Sequence, residues 1–321
     1  MPEENTFQPG ISVVIPVYNS QGTLCDLLAE LSRVLPALSS EYEVILVNDG
    51  SRDDSWSVAC QLAQEYPWVH GINLMRNYGQ HNALLCGIRA ARYGVTVTMD
   101  DDLQHPPCEI VKLLDKLAEG YGVVYGVPNK MPHSWWRNLT SRLTKWSLAR
   151  AMGIKNIRDI SAFRAFRTDL RKAFVNYQSP SLVLDVLLSW GTARFVAVDV
   201  DHQPRRVGQS NYTFVKLFNQ AMLVLTGFST GPLRVASLMG FAFTFLGFLV
   251  LIYVVGRYIV EGGSVAGFPF LASIIALFSG AQLFALGIIG EYLARMFNRS
   301  VERPSYVIGE CLTAREPLEK V

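Results

Sequence analysis

The stretch VTVTMDDDLQHPP at residues 95–107 decides the fold class of this chain. Its first five residues are β-branched or apolar and predict a strand, and the two prolines at its end predict the start of a helix. Three consecutive carboxylates lie between the two elements. Because ligands of open α/β sheets bind beyond the carboxyl ends of the strands, the stretch predicts an α/β sheet with an acidic binding loop.

The same alternation runs through the whole first half of the chain. Short β-branched runs predict strands, and the amphipathic stretches between them predict helices. The predicted strands are residues 11–17, 43–47, 69–74 and 95–99, and the predicted helices are residues 22–35, 53–65, 80–91 and 107–119. This βαβα order implies a parallel, doubly wound sheet. No GxGxxG motif follows the first strand, which disfavours a dinucleotide-binding dehydrogenase.

Composition narrows the function classes. The chain has 321 residues, of which 50% are hydrophobic and 17% are charged, and its net charge is +2. These values allow one α/β domain plus an apolar region, and they give no support for nucleic acid as a partner. The five cysteines form no CxxC pair, so we predict reduced thiols rather than disulfides or a zinc site. Residues 1–10 contain no apolar run typical of a secretory signal, so we expect the α/β domain to be cytoplasmic.

Two long uncharged stretches follow the α/β region. No charged residue occurs between Arg234 and Arg257, or between Glu261 and Glu291. Each gap exceeds the roughly 20 apolar residues that cross a bilayer, so we predict transmembrane helices over residues 235–255 and 268–289. The arginines outside the two spans place those flanks in the cytoplasm by the positive-inside rule. A buried helical hairpin of a soluble protein is the alternative, and the length of the gaps disfavours it.

Two further segments have compositions suited to a membrane surface. Residues 134–152 combine three tryptophans with four basic residues, and residues 213–228 lead toward the first predicted span. A basic amphipathic helix of this kind can lie in the headgroup layer of a bilayer. An ordinary amphipathic helix packed on the sheet is the alternative for both segments.

The acidic loop predicts a metal site. Carboxylates at this density repel one another unless a cation neutralises them, and Mg²⁺ or Mn²⁺ prefers a few carboxylate oxygens completed by phosphates and water. A metal that bridges a diphosphate would stabilise the charge on a departing nucleoside diphosphate. A solvated acidic loop without a metal is the alternative.

Five motifs together resemble those of the family 2 inverting glycosyltransferases with a GT-A (Rossmann-like) fold. They are VIPVYN at 14–19, VNDGS at 47–51, RNYGQH at 76–81, the acidic stretch at 100–107 and RRVGQSNY at 205–212. More narrowly, the chain resembles the polyprenyl-phosphate sugar transferases from about residue 11 to residue 306. The resemblance implies transfer of one sugar from a nucleoside-diphosphate sugar, with UDP favoured, to polyprenyl (undecaprenyl) phosphate. It also implies a bacterial inner membrane and a homo-oligomer.

The resemblance implies roles for individual residues. For the nucleotide they are Pro16, Tyr18, Asn19, Asp49, Arg76, Asn77, Gln80, Asp100 and Asp101. For Mg²⁺ or Mn²⁺ they are Asp100, Asp102 and Gln104. For the lipid phosphate they are Arg137, Arg205 and Ser210, and for catalysis Asp100, Asp102, Asp159 and Arg205. The alternatives are turn-forming roles for the asparagines and aspartates, helix capping around Arg76, and an interfacial arginine at position 137.

The chain departs from the family pattern at several positions, among them Pro128, where relatives often carry an arginine, and Asn211, where they often carry a lysine. Ser20 stands where the family usually has an acidic residue, and Asp101 replaces a small residue between the two metal aspartates. Ala162 stands where glucosyltransferase relatives carry an aspartate, which leaves Asp159 as the nearest carboxylate. Because the acceptor is already a phosphate anion, positioning and electrostatics can suffice without a catalytic base.

The predicted organisation has four parts. A cytoplasmic GT-A catalytic domain covers residues 1–212, an interfacial helix 213–230, a two-helix transmembrane region 231–297 and a cytoplasmic tail 298–321, in which a strand-like segment at 305–308 is expected to pair between subunits. A processive polysaccharide synthase of the same fold is an alternative, disfavoured because the chain has no Q-x-x-R-W motif and only two predicted spans. A non-catalytic membrane scaffold is the other alternative, disfavoured by the presence of Asp100, Asp102, Gln104 and Arg205.

Overall fold

A computed structural model describes residues 7–128, 160–179, 182–203, 231–261, 267–301 and 303–312 of the chain. The chain divides into two compact units. The first comprises Met1–Gln220 together with Glu302–Val321, and the second comprises Ala221–Val301. The C-terminal residues therefore belong with the α/β region that precedes the apolar helices.

The first half of the chain folds as its alternation predicts. In chain order the elements are β1 (Gln8–Val17), α1 (Leu24–Leu38), β2 (Tyr42–Asn48), α2 (Ser55–Glu65), β3 (Val69–Leu74), α3 (Gln80–Ala90), β4 (Tyr93–Thr98), α4 (Ile110–Ala118) and β5 (Val123–Pro128). After the first gap they are β6 (Arg164–Arg167), α5 (Leu184–Gly191) and β7 (Phe195–Val200). All four predicted strands and all four predicted helices are present, with ends shifted by at most a few residues.

The strands form one eight-stranded sheet in the order β7-β5-β6-β4-β1-β2-β3, with β8 (Ile308–Leu312) at its far edge. Strands β4, β1, β2 and β3 pair in parallel, as predicted. The prediction of a parallel sheet is wrong for two strands. Strand β6 runs antiparallel between β4 and β5, and β8 runs antiparallel along β3. Both reach the sheet from distant parts of the chain, so the local alternation carries no information about their direction.

Helices cover both faces of this sheet. Helix α1 buries Leu24, Leu27, Leu28, Leu31 and Leu35, at the spacing of one helical face. That face packs with α2 and α4 in one apolar cluster, and α3 and α5 contribute to a second cluster on the other side. The result is a three-layer α/β/α unit, and helices on both faces explain why the central strands are buried on both sides.

The C-terminal strand begins at Ile308, the last residue of the predicted segment 305–308. It pairs with β3 of the same chain, with Leu74 opposite Ile308 and Gly71 opposite Leu312, and pairing between subunits stays a prediction. The backbone N–H of Met75 also donates to the carbonyl of Val307 at 3.0 Å. Strand β8 therefore covers the edge of the sheet next to the loop that follows β3.

The second unit contains two long helices, α6 (Gly231–Glu261) and α7 (Phe268–Ser300). Within the described residues, one helical segment is long and apolar enough to cross a membrane by length and composition, namely Leu233–Arg257 with a mean hydropathy of 2.5. Helix α7 contains a shorter apolar stretch, Phe278–Ala294. The first predicted span thus coincides with a suitable helix, and the second span stays a prediction.

Close packing of α3 on the sheet gives a testable consequence. A Cβ atom on Gly87 would lie 2.3 Å from a methyl carbon of Val14 and 3.1 Å from one of Val47. We expect Gly87→Ala to lower the free energy of unfolding by about 1–3 kcal/mol, because α3 has to move away from β1 and β2. Thermal or denaturant unfolding of the detergent-solubilised chain measures this change. Gly22→Ala is the matched control, since nothing lies within 4 Å of a Cβ atom there. Equal stability of the two variants would contradict the packing.

Candidate active site

Four loops meet at one edge of the sheet because their strands are parallel and in close register. Val17 at the end of β1 lies opposite Asn48 at the end of β2, and Asn48 lies opposite Asn73 of β3. Thr98 at the end of β4 pairs with Val14 of β1. The loops after these ends carry most of the predicted nucleotide-binding and metal-binding residues.

Pro16 is the exception among the predicted nucleotide-binding residues. It lies inside β1, buried, opposite Val47 of β2. Tyr18, by contrast, follows the end of β1 and is 45% exposed. Of these two residues, only Tyr18 presents a ring at the edge of the sheet.

Asp49 joins the loop after β2 to the loop after β3. Its two carboxylate oxygens accept hydrogen bonds from the backbone N–H groups of Tyr78 at 2.7 Å and Gly79 at 2.8 Å. Burial raises the pKa of Asp49, and these two hydrogen bonds oppose that rise. The neighbouring Gly50 has φ +64°, and a Cβ atom there would lie 2.5 Å from the backbone nitrogen of Asn77. The two loops are therefore in backbone contact, with Asp49 as the side chain that joins them.

Asn19 links the loop after β1 to the loop after β2. Its backbone has φ +54°, an uncommon conformation that asparagine tolerates better than most residues. Its N–H donates to Ser51 Oγ at 3.0 Å, and its Oδ1 accepts from the backbone N–H of Arg52 at 2.8 Å. The predicted nucleotide-binding asparagine thus also holds the two loops together.

The loop after β3 brings cationic and amide groups to the same edge. The guanidinium of Arg76 lies 4.6 Å from the centre of the Tyr78 ring, and both Arg76 and Asn77 are exposed. Gln80, the first residue of α3, donates from Nε2 to Asp100 Oδ1 at 2.6 Å. The start of α3, which follows the loop after β3, therefore contacts the acidic loop directly.

The three aspartates of the acidic loop have different partners. Asp101 accepts hydrogen bonds from the Ser20 hydroxyl and from the backbone N–H of Tyr18. Burial raises the pKa of Asp101, and these bonds oppose the rise. Asp102 is almost fully buried, and its Oδ1 accepts from the backbone N–H of Gln104 at 3.1 Å. Asp101 thus holds the loop after β1, while Asp100 contacts the loop after β3.

The predicted metal ligands have suitable chemistry but do not form a complete cage. Across the ranges that the structure describes, no three His, Cys, Asp or Glu side chains are grouped to hold a metal ion. Asp100, Asp102 and Gln104 offer oxygen ligands only, which is what Mg²⁺ and Mn²⁺ prefer. Mg²⁺ is usually bound by one or two carboxylates plus substrate phosphates and water. The set fits a metal whose coordination is completed by a bound diphosphate.

His105 belongs to the site, although the sequence analysis gave it no role. Its ring is buried, stacks on Phe163 with centroids 5.1 Å apart, and meets the edge of the His202 ring at 5.0 Å. Burial lowers the pKa of His105 to about 4, so the ring is neutral at physiological pH. The backbone N–H of Gln203 donates to the carbonyl of Gln104 at 2.8 Å. The acidic loop is therefore packed against the residues that precede Arg205. The presence of a histidine next to the acidic residues of the stretch 95–107 was the one feature of the sequence that could have indicated this role.

A buried ion pair lies next to the end of β4, directly before the acidic loop. Arg164, at the start of β6, contacts Asp185 of α5, and Arg164 Nε donates to Thr98 Oγ1 at 3.1 Å. The Tyr125 hydroxyl donates to Asp185 Oδ1 at 2.8 Å. Thr98 Oγ1 in turn donates to the carbonyl of Ala162 at 2.8 Å. Asp185 is thus committed to Arg164 and Tyr125.

Several predicted site residues lie outside the described residues. They are Arg137, Asp159, Arg205 and Ser210, together with the segments 134–152 and 213–228. Their assigned roles stay predictions.

Comparison with known proteins adds a family match and two groups of similar proteins. Residues 12–176 match the family described as Glycosyl transferase family 2. An undecaprenyl-phosphate 4-deoxy-4-formamido-L-arabinose transferase of Proteus mirabilis is 35% identical over 311 residues, which are 96% of this chain and 95% of that protein. A protein of the same name from Shewanella sediminis is 37% identical over 310 residues, or 94% and 92%.

Solved structures of similar fold include glucosyl-3-phosphoglycerate synthase from Mycobacterium tuberculosis in complex with phosphoglyceric acid, with a TM-score of 0.50 and 19% identity. The match covers 68% of this chain and 78% of that chain. At this identity the likeness concerns the fold alone.

The contact of Asp49 with the loop after β3 is testable. Asp49→Asn replaces one acceptor oxygen by an N–H group, so one half-buried backbone N–H of Tyr78 or Gly79 loses its partner. We expect the free energy of unfolding to fall by about 1–3 kcal/mol. Thermal unfolding in detergent measures it. Asp199→Asn is the control, because Asp199 is exposed on β7 and its loss should change stability by less than about 0.5 kcal/mol. A stable Asp49→Asn variant would show that the carboxylate does not hold these loops.

Proposed function

The chain belongs to glycosyl transferase family 2, among the polyprenyl-phosphate glycosyltransferases, and we propose that it transfers a single sugar from a nucleoside-diphosphate sugar to undecaprenyl phosphate. The observation that carries the proposal is the position of Asp100 and Asp102 directly after β4. They lie at the edge of the sheet where β1, β2 and β3 also end. Similarity to undecaprenyl-phosphate sugar transferases covers 96% of the chain, so it includes the apolar helices as well as the α/β unit.

The nucleotide sugar binds at the carboxyl edge of the sheet in this proposal. The exposed ring of Tyr18 can stack on a base, and the guanidinium of Arg76 beside the start of α3 suits a diphosphate. UDP is the favoured nucleotide. UDP-4-deoxy-4-formamido-L-arabinose is the first sugar to test, because the two similar bacterial transferases are named for that sugar.

Asp100 and Asp102, with Gln104, would hold Mg²⁺ or Mn²⁺ against the diphosphate. When bound, the metal supplies positive charge that stabilises the departing nucleoside diphosphate. Gln80 donates to Asp100, and the backbone of Gln104 donates to Asp102. These two hydrogen bonds fix the orientation of the carboxylates before the substrate arrives, which reduces the reorganisation needed during transfer.

The acceptor phosphate attacks the anomeric carbon directly, and the configuration inverts. A phosphate oxygen forms the new bond to the sugar while the bond from the sugar to the nucleoside diphosphate breaks. Because the acceptor is an anion near neutral pH, no proton has to be removed, and Asp159 has the role of orienting the sugar or acceptor. Phosphate groups are held by Arg205 and Arg137, since guanidinium binds phosphate through two hydrogen bonds. Ser210 holds phosphate through its hydroxyl group.

A long polyprenyl tail requires the site to lie next to a membrane. We propose that the segment Leu233–Arg257 and residues 268–289 both cross the bilayer and that the α/β unit faces the cytoplasm of a bacterial inner membrane. The tryptophan-rich and basic residues 134–152 would then lie at the membrane surface. We also propose a homo-oligomer.

Transfer by the purified full-length chain tests the function. With undecaprenyl phosphate, a UDP-sugar and Mg²⁺ or Mn²⁺, we expect a lipid product that carries one sugar, seen by mass spectrometry. Removal of the metal with EDTA should abolish transfer, and added Mg²⁺ or Mn²⁺ should restore it. Without the cation, the carboxylates repel the leaving diphosphate and nothing at the acidic loop neutralises its charge. Full activity in EDTA would refute metal dependence. A chain of many sugars would favour a processive synthase, and transfer only to water-soluble acceptors would overturn the proposal.

Asp102→Asn tests the acidic loop itself. The variant keeps the shape of the side chain but removes a charge from the metal site, so we expect kcat to fall by at least about 100-fold. Asp115→Asn is the matched control, because Asp115 is an exposed carboxylate on α4. The same transfer assay measures both variants. Unchanged activity of Asp102→Asn would show that transfer does not depend on the carboxylate of Asp102.

A further inference from the structure

We propose that Asp101 is a positioning residue, which holds the loop after β1 in its nucleotide-binding conformation by accepting hydrogen bonds from Ser20 and Tyr18. The inference rests on the proposed function, since it concerns how the same nucleotide site is built.

The contact joins the loop after β1 to the acidic loop. Ser20 Oγ and the backbone N–H of Tyr18 both donate to one oxygen of Asp101, Oδ2, the latter at 3.3 Å. Residues 20 and 101 are 81 positions apart in the chain, so only the sheet brings them together. One carboxylate therefore accepts hydrogen bonds from two residues of the loop after β1.

The loop after β1 is held on two sides. On one side, the backbone N–H of Ser20 donates to Ser55 Oγ at 2.8 Å, and that of Asn19 donates to Ser51 Oγ at 3.0 Å. On the other side, the carboxylate of Asp101 accepts from the backbone N–H of Tyr18 and from the Ser20 hydroxyl. Hydrogen bonds to a carboxylate are about twice as strong as those between neutral groups.

These contacts hold Asn19 in an unfavourable backbone conformation. Asn19, between the two residues that bond Asp101, has φ +54°, which persists only where surrounding contacts determine it. Tyr18 presents an exposed ring immediately before it. Loss of the carboxylate should free both residues and weaken binding of the base, while the groups that act on the sugar stay in place.

A direct role makes a different kinetic prediction. If Asp101 were a ligand of the metal or of the diphosphate, its loss would lower kcat. A positioning role instead raises KM for the nucleotide sugar and changes kcat by less than about threefold, because uniform binding of substrate and transition state is lost. For Asp101→Ala we expect KM to rise on the order of tenfold to a hundredfold. Asp115→Ala serves as the control for removal of one exposed carboxylate.

Reciprocal exchange of the two side chains is the decisive test. In the Ser20→Glu variant the Cγ atom takes the place of the serine oxygen, and the carboxylate extends into the space that Asp101 occupies. Alone, this variant sets two carboxylates against each other and should raise KM as much as Asp101→Ala does. Combined with Asp101→Ala it restores one carboxylate between the loops. We expect the double variant to return KM to within about threefold of the unsubstituted chain.

Two readouts separate this inference from the proposed function. Calorimetric titration with UDP and Mg²⁺ measures nucleotide binding without the acceptor. Hydrogen exchange at the amides of residues 18–20 reports the loop directly, and it should accelerate in Asp101→Ala and return in the double variant. Recovery of both affinity and protection supports the inference. A double variant at least as impaired as either single variant, or a fall in kcat with unchanged KM, overturns it. If the unsubstituted chain binds no UDP and transfers no sugar, the proposed function fails, whatever the exchange data show for the loop.

Discussion

Parallel hydrogen bonding among β4, β1, β2 and β3 is the constraint on which the site depends. It brings the carboxyl ends of four strands to one edge, so residues more than 80 positions apart, such as Tyr18 and Asp101, come into contact there. Helices on both faces bury the strands and keep this register, because a shift of one residue would turn apolar side chains away from their clusters. The polar loops can therefore be irregular without loss of their mutual positions.

Carboxylates at this edge divide between two kinds of work. Asp49 and Asp101 accept hydrogen bonds from neighbouring loops, and burial raises the pKa of each while those bonds counteract the rise. Both act as joints between loops, which is a costly use of a buried charge unless its partners are all present. Asp100 and Asp102 flank Asp101 and are the pair proposed to meet the metal and diphosphate. In the proposed site, some carboxylates therefore hold loops together while others bind the metal and the diphosphate.

The return of the chain to the sheet after the apolar helices adds a second support. Strand β8 covers the outer edge of β3, and the carbonyl of Val307 accepts from the N–H of Met75, one residue before Arg76. Nearby, Arg89 of α3 donates to the carbonyl of Tyr177 at 2.6 Å and lies over the ring of Tyr306. Residues 307–312 therefore support the loop after β3, and an edge of β3 that would otherwise be open is paired.

Local patterns in the sequence determined the positions of most strands and helices in the first half of the chain, and the residue types at the site. The strands that end before Tyr18, Asp49 and Asp100 were predicted to within a few residues, because β-branched runs and helical spacing of leucines express local preferences and burial. The motifs identified the family, since the chemistry of a site is written in residue types. Tertiary structure alone decided the antiparallel direction of β6 and β8, the burial of Pro16, the position of His105 between Phe163 and His202, and the contact of Ser20 with Asp101. Each of these depends on groups that are far apart in the chain, and the free energy that brings them together comes from packing of the whole sheet rather than from any one segment.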